Sequence, residues 1–267
     1  MSRILELKDY CITYKNRNAD NQVHAVRNIS FKLNTGDTLG IVGESGSGKS
    51  SLAMGMLGLL SKDRAVITGK VLFNNHILSE MTVNELNSVR LIELAIVFQK
   101  SMSSFSPVHK IRTHVEDIYR VHYPKATRKE IENRFIYLLE SMNLSRKVYD
   151  SYPHQLSGGM IQRVSIALSL IHQPKLLIMD EATTGLDVIT QVQLMDEIAD
   201  LSRKMHLTRI IITHDLSVVA SYCNKIAVMY EGELLETGLV QNVLNNPKHH
   251  YTKALLDANT LNTYGDY

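Results

Sequence analysis

The sequence predicts an α/β fold: a mostly parallel core sheet covered on both faces by helices, with a helical insertion at about residues 101–155. Three observations predict it. Apolar runs of strand length alternate with helical periods through the second half of the chain. A glycine-rich loop stands between a buried-strand run and a helix. From about Ser101 to Tyr152 helical periodicity replaces strand signals altogether. The length of 267 residues suits one large α/β domain or a core with one insertion.

The elements follow in order. Ile4, Leu5 and Leu7, then Ile29, Phe31 and Leu33, alternate as half-buried strands do. Asn34-Thr35-Gly36-Asp37 is a turn, and Thr38-Leu39-Gly40-Ile41-Val42 is a short apolar run suited to a buried strand. Gly43-Glu44-Ser45-Gly46-Ser47-Gly48-Lys49-Ser50 follows at once, and a helix rich in Leu and small residues runs to about Leu60. In the insertion, Thr127 and Glu130 are spaced as a capping box, and Ile131, Phe135, Leu138 and Met142 repeat at helical spacing. A helix over Gly159–His172 aligns Ile161, Val164, Leu168 and Ile171 on one face and stops at Pro174. A strand at Lys175–Asp180, a helix from about Thr190 to Met205, and strands at Arg209–Thr213 and Lys225–Tyr230 complete the pattern.

Composition narrows the function classes. With 44% hydrophobic and 21% charged residues the chain buries a sizeable core and is not disordered. Its 29 Lys and Arg against 27 Asp and Glu leave a net charge of +2, which argues against electrostatic wrapping of nucleic acid. Cys11 and Cys223 are too few for a disulfide framework or a Cys-rich metal site. Arg3, Glu6, Lys8 and Asp9 interrupt the start, leaving no apolar stretch for a signal peptide. The uncharged stretches Ser50–Ser61 and Val164–Pro174 fall short of the roughly 20 residues a membrane span needs. The expectation is a chain soluble by itself that reaches a membrane only through partners.

Gly43-x-x-x-x-Gly48-Lys49-Ser50 has the form of a phosphate-cradling loop. Glycines let backbone N–H groups turn inward, the following helix adds about half a positive charge, and Lys49 reaches the β- and γ-phosphates. The Ser50 hydroxyl is placed to ligate Mg²⁺, with Ser51 close behind. Leu176-Leu177-Ile178-Met179-Asp180-Glu181 is an apolar strand that delivers two acids to the carboxyl edge of the sheet. Asp180 would hold Mg²⁺ and Glu181 would polarise the attacking water. These elements leave GTPases, kinases, RecA-like motors and transport ATPases open. Asn224-Lys225-Ile226-Ala227 lacks the acid that would bind guanine, which argues against a GTPase.

Leu156-Ser157-Gly158-Gly159-Met160 decides among the rest, because here the sequence resembles the ATP-binding cassette (ABC) ATPases and their LSGG signature. Ser157 offers a hydroxyl, Gly158 and Gly159 expose N–H groups, and the helix starting there points its positive end outward at an anion. The resemblance implies that the signature caps the γ-phosphate of ATP held by another subunit. Phe98-Gln99 resembles the Q-loop, whose Gln99 would sense γ-phosphate and Mg²⁺. Gly185-Leu186-Asp187 resembles the D-loop, and Thr213-His214-Asp215 the switch histidine. Tyr14 lies where the family places an aromatic residue on adenine. The family fold implies a RecA-like core with an N-terminal antiparallel β portion (1–100 and 156–232), a helical subdomain at 101–155 and a C-terminal extension at 233–267.

Tyr152–Val164, Asp180–Val188, Ser104-Phe105-Ser106-Pro107 and Pro247-Lys248-His249-His250-Tyr251-Thr252 narrow the likeness to the peptide/nickel branch of bacterial importers. That branch implies an ATPase working with Mg²⁺ on the cytoplasmic face of the membrane. Its implied partners are a second ABC ATPase, sister chain or second copy, two transmembrane permeases and an extracellular or periplasmic substrate-binding protein, with no nucleic acid. The groove around Gln99–Ile111 is the expected docking site for the permeases' cytoplasmic helices. Ala182, Ser101 and His250 depart from the branch pattern, and none removes a group that touches nucleotide. His249-His250 reads as a solvated turn. The competing readings are a soluble ABC ATPase acting on DNA or ribosomes, and a plain P-loop kinase or binding module.

Overall fold

The computed structural model describes residues 2–15, 22–98 and 104–262. In chain order, β1 (Arg3–Tyr14), β2 (Val23–Asn34) and β3 (Thr38–Val42) precede α1 (Lys49–Met56), β4 (Ala65–Phe73), β5 (His76–Ile77) and α2 (Val83–Val89). Next come β6 (Leu94–Val97), α3 (Ile111–His122), α4 (Arg128–Ser141), α5 (Gly158–Ser169), β7 (Leu176–Asp180) and α6 (Val188–Met205). Then follow β8 (Thr208–Ile212), α7 (Leu216–Tyr222), β9 (Lys225–Tyr230), β10 (Glu233–Leu239), α8 (Val240–Asn245) and α9 (His250–Asn262). Met1–Asn87 with Thr208–Tyr267 form one compact unit, and Ser88–Leu207 form another.

In the first unit an antiparallel sheet runs in the order β2-β1-β4-β5. A second set runs β10-β9-β3-β8, with β3 parallel to both β8 and β9, and β10 antiparallel to β9. β3 and β8 are buried at every residue, as central parallel strands are, which is why each carries a short apolar run, Leu39–Val42 and Ile210–Ile212, behind buried polar residues at its start. The turn into β3 is locked. Asp37 accepts from the Asn34 N–H at 2.8 Å and the Asn224 amide at 3.0 Å, and pairs with Lys225 Nζ at 2.7 Å. Burial alone would raise its carboxyl, but these partners hold it below the usual carboxylate range.

Helix α1 ends at Met56 and not near Leu60 as its composition predicts. Gly58 takes φ 62°, its N–H donates to the Gly55 carbonyl at 2.9 Å, and the Leu59 N–H donates to the Met54 carbonyl at 2.9 Å. This is a Schellman stop, and the glycine that permits it sits inside the run read as helix.

In the second unit β6 pairs parallel to β7, Leu94 to Leu176 through Val97 to Met179. Thr127 caps α4 with the expected box: its hydroxyl accepts from the Glu130 N–H at 3.3 Å, and the Glu130 carboxylate accepts from the Thr127 N–H at 2.8 Å. Ile131, Phe135, Leu138 and Met142 are all buried, as their spacing predicts. Helix α5 is shorter than predicted, ending at Ser169, and it is packed on more than the predicted face. Gln162, Ser165, Ile166 and Ala167 are buried alongside Val164, whereas Ile161 and Leu168 are only half-buried. None of the described helices is long and apolar enough to cross a membrane.

Candidate nucleotide site

The first unit carries the glycine loop. β3 delivers Gly43, Glu44, Ser45, Gly46, Ser47 and Gly48 directly into α1 at Lys49. Gly48 caps that helix at φ 99°, and a Cβ there would stand 2.0 Å from the Ala25 carbonyl oxygen, so no other residue fits. Lys49 is buried and folds back into the loop. Its Nζ donates to the Gly43 carbonyl at 2.8 Å, the Glu44 carbonyl at 2.7 Å and Ser47 Oγ at 3.2 Å. The ammonium therefore sits inside the loop at the positive end of α1, an electrostatic setting suited to phosphate oxygens. Ser50 and Ser51 occupy the first turn of α1. The Tyr14 hydroxyl, at the end of β1, donates to Ser51 Oγ at 3.1 Å and so brings Tyr14 against that turn.

His214 reaches the same sheet edge. β8 runs parallel to β3, and the Thr213 N–H donates to the Ile41 carbonyl at 3.2 Å, so the chain leaves β8 alongside the strand that feeds the glycine loop. His214 follows, exposed, and Asp215 then caps α7 by accepting from the Ser217 N–H at 2.8 Å.

The second unit carries the acidic pair and the signature. β7 is buried throughout and ends in Asp180, and the backbone turns sharply at Glu181, whose φ is 49°. Phe98 follows β6 at this edge. Gln99 lies outside the described residues. Ser157 caps α5, accepting from the Met160 N–H at 3.3 Å, and Ser157 and Gly158 are exposed with no acidic residue in the helix's first turn. That leaves a positive helix end open to an anion. Asp187 caps α6: the Thr190 hydroxyl and N–H donate to it at 2.6 and 2.9 Å and hold its carboxyl below the usual range.

Two residues with no role in the sequence reading tie these parts together. The buried Gln162 amide donates to the Ala182 carbonyl, fastening α5 to the turn after Glu181. Arg163 forks onto Glu197 of α6 at 2.8 and 3.3 Å, and Asn143 donates to the same carboxylate at 2.9 Å. Gln162 and Arg163 lie just past the signature, inside the Tyr152–Val164 stretch that resembles the importer branch, and that was the available signal. A cavity of about 200 Å³ also lies in this unit, lined by Phe98, Phe105, His114, Ile118 and Leu168 among others. It covers part of the groove expected around Gln99–Ile111.

A lysine folded into its own glycine loop at a strand–helix junction, and a buried strand ending in Asp-Glu, define a P-loop nucleoside triphosphatase. A family model described as ABC transporter matches residues 26–184. The oligopeptide transport ATP-binding protein OppD of Lactococcus lactis subsp. cremoris (strain SK11) is 39% identical over 96% of this chain and 75% of its own length. The dipeptide transport ATP-binding protein DppD of Lactococcus lactis subsp. cremoris (strain MG1363) is 38% identical over 96% of this chain and 73% of its own. Among solved structures, the dimeric ATP-binding cassette MJ0796 in a post-hydrolysis state with ADP and Pi superposes with TM-score 0.79 at 26% identity, covering 89% of this chain and 99% of that one. The chain belongs to the ABC transporter family, as an ATP-binding subunit whose ATP hydrolysis drives transport.

Proposed function

We propose that the chain powers a peptide importer from the cytoplasmic face of the membrane, held there peripherally by two transmembrane permeases. It pairs with a second ABC ATPase, a sister chain or a second copy, and an extracellular or periplasmic binding protein supplies the cargo. The peptide and dipeptide relatives support peptides over the nickel or metal-chelate cargo of the same branch. The observation that carries the two-chain reading is the exposed N-terminus of α5 with Ser157 and Gly158 at its tip. It is an anion site left over once the chain's own nucleotide has its own glycine loop.

Lys49, the N–H groups of the loop from Gly43 to Gly48, and the first turn of α1 hold the β- and γ-phosphates. Tyr14 stacks on adenine, and its bond to Ser51 supports that position. Ser50, Asp180 and Gln99 offer only oxygen donors of hydroxyl, carboxylate and amide type, a hard set that fits Mg²⁺. When bound, Mg²⁺ neutralises charge on the β- and γ-phosphate oxygens. Glu181 orients water for in-line attack at the γ-phosphorus while the bond to the ADP oxygen breaks. His214 contacts the γ-phosphate, and Ser157, Gly158 and Gly159 cap the γ-phosphate held by the partner chain. Catalysis on this reading is positioning and electrostatics. The apolar cavity beside Phe98 and Phe105 receives the permeases' cytoplasmic helices.

The test is gentle detergent extraction of the tagged chain from its native cells, with mass identification of what co-purifies. Two multi-span proteins with an ABC ATPase partner are expected. Recovery with ribosomes or DNA instead would overturn the importer and favour the soluble alternative.

A further inference from the structure

The glycine loop is pinned from outside at two points. On one flank the Gly232 N–H, in the turn between β9 and β10, donates to the Ser47 carbonyl at 3.0 Å, and the Gly232 carbonyl accepts from the Arg27 N–H at 2.7 Å. That pin joins the loop through the β9–β10 turn to β2. The other comes from the far end of the chain: the Glu44 backbone N–H donates to the Tyr251 hydroxyl at 3.3 Å, across 207 residues. Glu44 is the residue whose carbonyl accepts from Lys49 Nζ at 2.7 Å and from the Ser47 N–H at 3.2 Å. A short chain of hydrogen bonds thus runs from α9 to the phosphate-binding ammonium.

Tyr251 is itself held in place. Its ring packs on Tyr230, at the end of β9, with centroids 4.4 Å apart. With Leu255 and Leu256 it lies on a buried cluster that includes Val42, the residue before the loop, together with Val228, Val240 and Val243. The approach to α9 is anchored by Glu236 of β10, which accepts from the backbone N–H groups of Lys248 at 3.0 Å and His249 at 3.1 Å. His249 Nδ1 accepts in turn from the Tyr251 N–H at 3.1 Å. Burial pushes the Tyr251 phenol up, so it stays protonated at neutral pH.

We infer that Tyr251 is a positioning residue for the glycine loop, and that docking of α9 and binding of ATP are coupled. The inference rests on the loop being the ATP site. Coupling of this kind is reciprocal: a docked α9 favours the loop geometry that binds ATP, and bound ATP favours the docked helix to the same extent.

Tyr251→Phe in the full chain keeps the ring against Tyr230 and removes only the hydroxyl. By ATP titration calorimetry its Kd for ATP is expected to rise about 2- to 12-fold, the range spanned by one net hydrogen bond. The kcat at saturating ATP is expected to stay within about twofold, because on this reading the bond is made before and during turnover alike. Hydrogen exchange supplies the second readout. ATP should slow exchange across residues 250–262 in the wild type, and this protection should be lost in Tyr251→Phe, with faster exchange at the Glu44 amide. An unchanged Kd, or a fall in kcat with Kd unchanged, overturns the inference. So does wild-type exchange in α9 that ignores ATP, a result that stands even if the variant misfolds. Lys49→Ala separates the levels: if ATP still binds to it normally, the ATP site itself is misassigned, whereas loss of binding there with a silent Tyr251→Phe refutes only the role of Tyr251.

Discussion

His172, in the turn after α5, should make the second unit labile to mild acid. Its ring is buried, stacked on Tyr119 of α3 with centroids 4.9 Å apart, edge-on to His122 at 5.2 Å, and 5.5 Å from Tyr123. Arg134 of α4 lies over Tyr119 at 6.0 Å. Burial, then the neighbouring His122, push the imidazole down to about 4 from its ordinary 6.5. Above pH 6.5 the ring is neutral in both folded and unfolded chains and its packing contributes fully. Below pH 6.5 the unfolded chain takes up a proton that the folded chain refuses, so stability falls until the folded ring also titrates near pH 4. At about 1.4 kcal/mol for each pH unit of that interval, the ceiling on the loss is about 3 kcal/mol. His172→Phe keeps a planar ring on Tyr119 and removes the proton site. Urea unfolding of both proteins at pH 7.5 and pH 5 measures the difference, and the wild type should lose up to about 2 kcal/mol more than the variant across that interval. Parallel losses would refute the reasoning and mean that water or a hydrogen-bond acceptor reaches the ring in solution.

The catalytic assignments carry two further tests. Glu181→Gln should retain ATP binding and abolish turnover, measured as phosphate release at saturating ATP, and normal hydrolysis by that variant would remove Glu181 from the mechanism. Ser157→Arg, introduced into one member of a two-chain assembly, should lower hydrolysis at the nucleotide held by the other member. Loss confined to the mutated chain's own glycine loop would sink the two-chain reading.

Sequence order revealed the parts of the fold that are local. β3, its loop and the start of α1 are contiguous, and β7 and β8 are buried throughout, so Leu176–Met179 and Ile210–Ile212 stand out as apolar runs. The α4 cap closes within four residues. What stayed hidden depends on partners far along the chain. β4 carries Gly69 and Lys70 in its middle and pairs with β1 around an irregularity between Lys8 and Cys11, so neither strand shows clean alternation there. β6 has four residues and is a strand because β7 lies beside it. β10 is mostly exposed or half-buried, which removes the apolar signal. The site shows the same division: residue types and spacing pointed to Lys49 and Asp180 as candidates, and the family resemblance to Ser157. The three acceptors of Lys49, the Gln162 clasp and the Tyr251 pin needed the register of the folded chain.

Asn224-Lys225 shows how position decides what a motif fragment does. In a guanine-binding protein these two residues would sit near the nucleotide, and the sequence argued against that only through the missing acid at Ala227. The strand register gives a stronger reason. β9 is parallel to β3 with Lys225 opposite Leu39, at the amino end of β3, whereas the glycine loop leaves from Val42 at the carboxyl end. At about 3.3 Å per residue, the length of β3 puts roughly 13 Å between those two edges. At the amino edge Asn224 accepts from the Thr38 N–H at 2.8 Å and donates to Asp37, and Lys225 pairs with the same carboxylate. Both side chains are committed to fixing the turn that launches β3, and so to fixing the strand from which the nucleotide loop departs. Even with an acid at position 227, the pair would sit at the wrong edge of the sheet to read a base.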